Sequence, residues 1–375
     1  MGGVLLVAGD DHGLYSSTLP NQSEHVFSAA MIPYLYPQSV EEYIELGLHA
    51  FAIPRFAGLP VGFKALADTV ESSGSINADA LDVQTLLPQN FVFPEGGVHA
   101  RLSTDTLGMQ ARKQEALMQD YKIYAVIAYA RENKLNHVTI DSPNARLGIV
   151  ASGKSDRDVL EAVEELGIDP ERAARIGVRV FKVAMPWPLE PDSIREFSNG
   201  LEEILVVEEK RQMVEYQLKE HLYNWRDDVR PRVIGKFDEA GEWAHPRGQW
   251  LLPAKGDLSV AQIARVIAAR IARFHTSERI RAAGHPRRQR HRAGQGRQHA
   301  AAARVVLLGL PARHLDQGSR RQPGARRYRL PCDGHRRLSR TQQDHHAHGR
   351  RRRALVGSGV VLQTQTCVRE SGRRH

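Results

Sequence analysis

Four short apolar runs, at 138–140, 147–151, 178–183 and 204–207, alternate with helical patterns, and this alternation limits the chain more than any other feature. Each run is too short for a helix and carries valine or isoleucine, so each reads as a strand, 147–151 as a buried one. Between them lie an amphipathic helix at 156–166 closed by Gly167, a short helix opened by Pro170, a helix at 194–199 and a charged helix at 211–221. The first two runs are joined by a turn, Asp141-Ser142-Pro143-Asn144, and the strand–helix–strand alternation that follows builds a doubly wound parallel sheet with helices on both faces.

Upstream, residues 1–80 also read as α/β. An apolar strand at 4–7 stops at Gly9-Asp10-Asp11-His12-Gly13, followed by a small hydroxyl-rich turn, Ser16, Ser17 and Thr18. A strand tip emptying into a polar loop is where α/β enzymes place ligands. A short helix from Ser23 is ended by Pro33, and Ser39 caps a helix over 40–47 with Glu42 at the capping-box position. Residues 59–70 fit a strand followed by a loop or short helix. Residues 75–106 are Pro/Gly-containing and weakly periodic. A long helical pattern covers 107–136, with Leu117, Tyr121, Tyr124, Ile127 and Ala128 as its core face; Tyr121 and Tyr124 read as core rather than as a ligand stripe. Residues 224–254 are rich in Trp, Pro and Gly, with a short strand possible at 232–236. A last amphipathic helix at 259–273 has Ser259 as cap and Ile263, Val266, Ile267 and Ile271 on one side.

Two motifs invite a functional reading and lose it. GIVASGKS, from Gly148 to Ser155, matches the phosphate-loop pattern literally, but the strand through Gly148–Ala151 leaves too little loop to wrap a phosphate. Glu208-Glu209-Lys210-Arg211 reads as a solvated or inter-domain charged surface. Cys332 and Cys367 give neither a metal spacing nor a disulfide framework. No apolar run approaches bilayer length and no charged-then-apolar leader opens the chain, so the expectation is a cytoplasmic protein without a membrane partner.

The formal net charge of +9 hides a division. Residues 282–375 hold 22 of the 52 basic residues, all arginine, and 4 of the 43 acidic ones, so this tail carries +18 and the body −9. A basic tail points to nucleic acid by phosphate neutralisation, yet such tails mix lysine with arginine and this one has none. Arg, His, Gln, Ala, Gly and Pro are what GC-rich DNA gives when translated out of register.

The strings GGVLLVAGDDHGLYSSTLPNQSE, LGIVASGKS, KVAMPWPLEP and EEILVVEEKRQMVEYQLKE resemble the thiamine-diphosphate-dependent indolepyruvate ferredoxin oxidoreductases, in the long bacterial form that fuses the subunits. In a shifted frame the tail also permits strings of that family's diphosphate-binding domain, in the family's order. Residues 306–317 permit FCSGCPHGTSTK, 327–335 GIGCHVMAT, 346–355 THMGGEGALW and 365–374 KHVFANLGDG. The tail from about Ala282 is therefore expected to be a disordered frameshift product. The His345, His346 and His348 cluster then carries no selected metal chemistry, and a nucleic-acid-binding tail is the alternative reading.

The resemblance implies five segments: a partial pyrimidine-binding-like domain at 1–80, a linker and long helix at 81–136, a domain similar to the transketolase C-terminal domain at 137–225, a bridge and amphipathic helix at 226–281, and the tail at 282–375. It implies an internal fragment of an enzyme that oxidatively decarboxylates aryl 2-oxoacids such as indolepyruvate. That parent uses thiamine diphosphate with Mg2+ and an iron–sulfur cluster, passes electrons to ferredoxin and the acyl group to coenzyme A, and forms a homo-oligomer. The fragment itself is expected to bind no cofactor and to be inactive. By resemblance His12 is the candidate acid/base, and Asp10, Asp11, Ser16, Ser17 and Thr18 line the cofactor site; no metal ligands are assigned. Gly13-Leu14-Tyr15 stands where the family has Gly-Cys-Lys.

Overall fold

The computed structural model describes residues 2–76, 82–99, 107–241 and 250–284. The described residues all lie in the first of the chain's two units. Within the first unit the elements follow in the order β1 (Leu5–Asp10), α1 (Glu24–Ala29), β2 (Tyr34–Leu35), α2 (Val40–Ala57), β3 (Val61–Leu66) and α3 (Ala67–Val70). After the strap at 82–99 come α4 (Leu107–Leu117), a π turn (Met118–Lys122) and α5 (Ile123–Glu132). Then follow β4 (Asn136–Ile140), β5 (Leu147–Ser152), α6 (Lys154–Glu165), α7 (Pro170–Ile176), β6 (Val178–Val183), α8 (Pro191–Ser198), β7 (Glu203–Val207), α9 (Val214–Tyr223), β8 (Arg232–Ile234), α10 (Val260–Ile271) and α11 (Glu278–Gly284).

The first sheet is parallel, in the order β1-β3-β2. Ser39 caps α2 through the Glu42 N–H as expected, but the Glu42 carboxylate turns to the Gln38 N–H at 2.9 Å instead of closing the box. The helix runs past Gly47 because its buried face continues through Leu46, Ala50, Ile53 and Ala57, and it ends at Gly58 in the left-handed region, φ +72. That face packs with Val61, Phe63 and, from α5, Ala125, Val126 and Tyr129. Each fully buried side chain of this size contributes about 1.5–3 kcal/mol of transfer free energy.

The expected core face of the long helix is displaced. Tyr124 is 57% exposed, while Ala125, Val126, Tyr129 and Ala130 are buried. The π turn inserts one extra residue after Leu117, so each later core position falls one residue further on than a 3.6-residue period gives.

The second sheet has the order β4-β6-β5-β7-β8. Its interior strands alternate between two cores. Ile149, Ala151, Val180 and Leu205 meet α6, α10 and α11 on one face, and Val150, Phe181 and Val206 meet α8 and α9 on the other. This is the doubly wound parallel arrangement with one departure: β4 runs antiparallel to β6. Only residues 141–146 join β4 to β5, fewer than the dozen or so a parallel crossover needs, so the chain reverses instead. Ser259 and Gln262 form a full capping box at α10. Residues 282–284, expected to begin the disordered tail, belong to α11, whose Ile280 is in the core. The rest of the tail, with Cys332, Cys367 and the histidine cluster, lies outside the described residues.

Candidate functional site

β1 and β3 end side by side at Asp10 and Leu66, and β5 and β7 end at Ser152 and Val207. A buried ion network joins these carboxyl ends. At its centre Lys64, fully buried in β3, touches the Glu24 carboxylate, lies 3.4 Å from Asp10 Oδ2 and 3.1 Å from His12 Nε2, and sits 4.3 Å over the Tyr36 ring. Asp10 Oδ2 also accepts from the Ser23 backbone and hydroxyl at 3.1 and 2.9 Å. Burial pushes the Asp10 carboxyl up, but the Lys64 ammonium, with His12 and Ser23, holds it down at about 2.

Glu209 ties this group to the second sheet. Its Oε2 is 2.5 Å from His12 Nδ1, and its Oε1 accepts from Lys154 Nζ at 3.2 Å and the Leu258 N–H at 3.1 Å. Lys154 also binds Asp158 at 2.6 Å, and Lys210 Nζ donates to the His12 carbonyl at 2.6 Å. Against its own burial, Glu209 is held well below the usual carboxylate range by His12 and Lys154. His12 is pushed down by burial and Lys64, but Asp10 and Glu209 outweigh them and raise it. In the neutral imidazole, Nδ1 donates to Glu209 and Nε2 accepts from Lys64. Protonation at Nε2 turns that acceptor into a donor and opposes the Lys64 ammonium.

Glu208, Glu209 and Lys210 are therefore buried, which corrects the solvated-surface reading and leaves the inter-domain one. Glu208 accepts from the N–H groups of Met213, Val214 and Glu215, each at 2.8 Å, and so fixes the start of α9. The literal phosphate-loop match has no room for a phosphate. Gly153, φ +52, precedes α6, and the Tyr36 ring occupies the space of its missing Cβ, while Lys154 is committed to two carboxylates.

The structure separates the other expected site residues by role. Asp10 and His12 belong to the network. Asp11 instead folds its own loop: its carboxylate accepts from the N–H groups of Tyr15, Ser16 and Ser17 at 2.9, 2.7 and 2.7 Å. Ser16, Ser17 and Thr18 are exposed on that loop, and Ser17 Oγ donates to the Leu19 carbonyl. Sequence reading missed Lys64, Glu24, Lys154 and Glu209. Lys64 had a signal, a lone lysine inside the apolar run Val61–Leu66, since lysine is almost never fully buried unless paired.

Asp10, His12 and Glu24 place one ligand atom each within 4.8 Å of one another, but the Lys64 ammonium already stands among them. The Asp10 Oδ1 and Glu24 Oε2 oxygens have no hydrogen-bond partner. A cage of carboxylates neutralised by its own ammonium does not fit magnesium bound to an anionic diphosphate.

Fold and site define an α/β protein with a charged junction at its strand carboxyl ends, and among the described residues no helix is long and apolar enough to cross a membrane. The sequence profile of the indolepyruvate ferredoxin oxidoreductase middle domain matches residues 136–293. The indolepyruvate oxidoreductase subunit IorA of Methanothermobacter thermautotrophicus is 26% identical over 236 residues, 63% of this chain and 35% of that protein. IorA of Pyrococcus horikoshii is 28% identical over 238 residues, 63% of this chain and 34% of that protein. Residues 136–293 are thus similar to the middle domain of that family, and the chain spans about a third of the length of these curated relatives. Among solved structures, a 2-oxoglutarate:ferredoxin oxidoreductase from Magnetococcus marinus aligns with TM-score 0.39 at 15% identity, over 71% of this chain and 48% of that one. An inactive split-gene transketolase aligns with TM-score 0.38 at 14% identity, over 72% of this chain and 67% of that one.

Proposed function

We propose that this chain is the central part of an enzyme that oxidatively decarboxylates aryl 2-oxoacids, indolepyruvate foremost. The whole enzyme uses thiamine diphosphate with Mg2+ and an iron–sulfur cluster, delivers electrons to ferredoxin and the acyl group to coenzyme A, and works as a homo-oligomer in the cytoplasm. The cofactor supplies the difficult chemistry; the protein binds and orients it. The observation that carries this reading is the profile match over 136–293. The docking of the 10–18 loop onto that same domain through His12 and Glu209 supports a role for the loop at the cofactor. In this reading His12 is the acid/base, Asp10 holds it through Lys64, Asp11 shapes the loop, and Ser16, Ser17 and Thr18 face the ligand.

The chain alone is inactive in this proposal, because it spans about a third of its relatives. The tail beyond α11 is out of frame with the family's diphosphate domain. Two measurements test the reading. Re-sequencing the coding DNA across codon 282 from an independent template is expected to reveal a single-base gain or loss, with family sequence on both sides. A protein restored to family length is expected to reduce ferredoxin when given indolepyruvate and coenzyme A, and the present chain is expected not to. A confirmed frame together with no ferredoxin reduction by the lengthened protein on any aryl 2-oxoacid would sink the proposal.

A further inference from the structure

A recess lies at the end of the first sheet opposite the ion network. The strap at 82–99 crosses the carboxyl end of α2 and is pinned at three points. Leu86 exchanges hydrogen bonds with the Asn133 side chain at 2.7 and 2.8 Å, Val98 packs against Gly58, and His99 Nε2 meets the Arg55 carbonyl at 2.9 Å. Between strap and helix remains a cavity of about 550 Å³, lined by Arg55, Phe56, Leu87, Phe93, Val98 and His99 among others. Arg55 also donates to the Gly2 carbonyl at 3.1 Å, where the chain enters β1. The ion network begins at the far end of that strand, so a six-residue strand at roughly 3.3 Å per residue, about 20 Å, separates the two.

The chemistry of the lining selects its occupant. The size is that of a small-molecule site. Phe56 and Phe93 pack edge to face at 5.1 Å, which offers an aromatic wall for another ring. Arg55 forms no ion pair among the described residues, and its guanidinium fork matches a carboxylate. Because a carbonyl only accepts, His99 Nε2–H donates to it, and the buried Nδ1 is left without a partner. One cation in an apolar recess suits a singly charged acid better than a doubly charged phosphate.

We propose that this recess is a binding site for a small aromatic monocarboxylate, held by Arg55 with its ring against Phe56 and Phe93. The site is separate from the charged junction and stands whether or not the functional reading above holds. The full chain titrated calorimetrically with phenylacetate is expected to bind one equivalent in the millimolar range or tighter. The neutral isostere phenylacetamide is expected to bind at least about tenfold more weakly, as is phenylacetate to Arg55→Met, the loss of one charge-assisted hydrogen bond. Acetate, which lacks the ring, is expected not to bind measurably. The proposal is overturned by no saturable phenylacetate binding, or by equal binding of phenylacetate and phenylacetamide to the unaltered chain. The latter comparison needs no folded variant.

Discussion

His12 and Glu209, 197 positions apart, meet at 2.5 Å and close the junction between the two sheets. The contact is buried on both sides, so its value lies in what its loss would expose. In Glu209→Ala the Lys154 ammonium keeps only Asp158 and the Leu258 carbonyl, and His12 loses its acceptor. Breaking one side of a buried pair costs about 3–5 kcal/mol. Urea denaturation of this variant is expected to show a loss in that range, and a loss under about 1 kcal/mol would mean the pair is not formed in solution.

Lys64 acts as a built-in cation. Lys64→Met leaves Asp10 and Glu24 buried without a counter-charge, at a similar penalty of about 3–5 kcal/mol. It also frees Asp10, His12 and Glu24 as a ligand set. Millimolar Mn2+ is therefore expected to raise the melting temperature of Lys64→Met and to leave the parent chain unchanged. Equal response of both proteins to Mn2+ would contradict the role assigned to the ammonium.

Asp156 gives a pH signature. Burial pushes its carboxyl up to about 7, partly opposed by Lys182 and reinforced by Glu42, and neither oxygen has a hydrogen-bond partner. Between its ordinary value and about 7 the folded chain holds this proton and the unfolded chain does not. Stability from this group is thus full in acid and declines as pH rises through that window. Asp156→Asn is expected to remove the decline, gaining up to about 4 kcal/mol at pH 8 relative to the parent. Chemical denaturation at several pH values reads both slopes; parallel slopes would refute the assignment.

Asp11 stabilises a loop rather than the core. Without its three accepted N–H bonds, the exposed segment 14–20 is expected to open in Asp11→Ala, with cleavage after Tyr15 by chymotrypsin accelerating severalfold at little change in global stability. Unchanged cleavage would mean that the loop holds its shape by other means.

Much of the fold was legible because burial on both faces leaves a plain mark. The run that became β7, Glu203–Val207, is near-continuous in Val, Ile and Leu, as a doubly covered parallel sheet demands. Ser259 and Ser39 announced their helices through capping chemistry. The misplaced face of α5 has a different cause, since a π turn has no residue signature in Met118–Lys122 and only its register shift betrays it. At the site, the loop bearing Asp10 and His12 stood out as polar residues after an apolar strand. Glu209 and Lys154 did not, because charged side chains at strand ends look alike in water or in a junction. What distinguishes them is a distant partner, 197 positions away for Glu209 and 55 for Lys154, which no local pattern carries.

The strand that delivers Asp10 and His12 is hydrogen-bonded along one flank only, to β3, among the described residues. Its outward amides face no ladder, and Val4 and Val7 stand more than half exposed. The consequence is mechanical. The charged junction hangs from a strand hydrogen-bonded on one side, so its rigidity is a property of whatever neighbours β1 as much as of the residues that form it. Amide exchange along β1 is then the natural gauge of how firmly the junction is held.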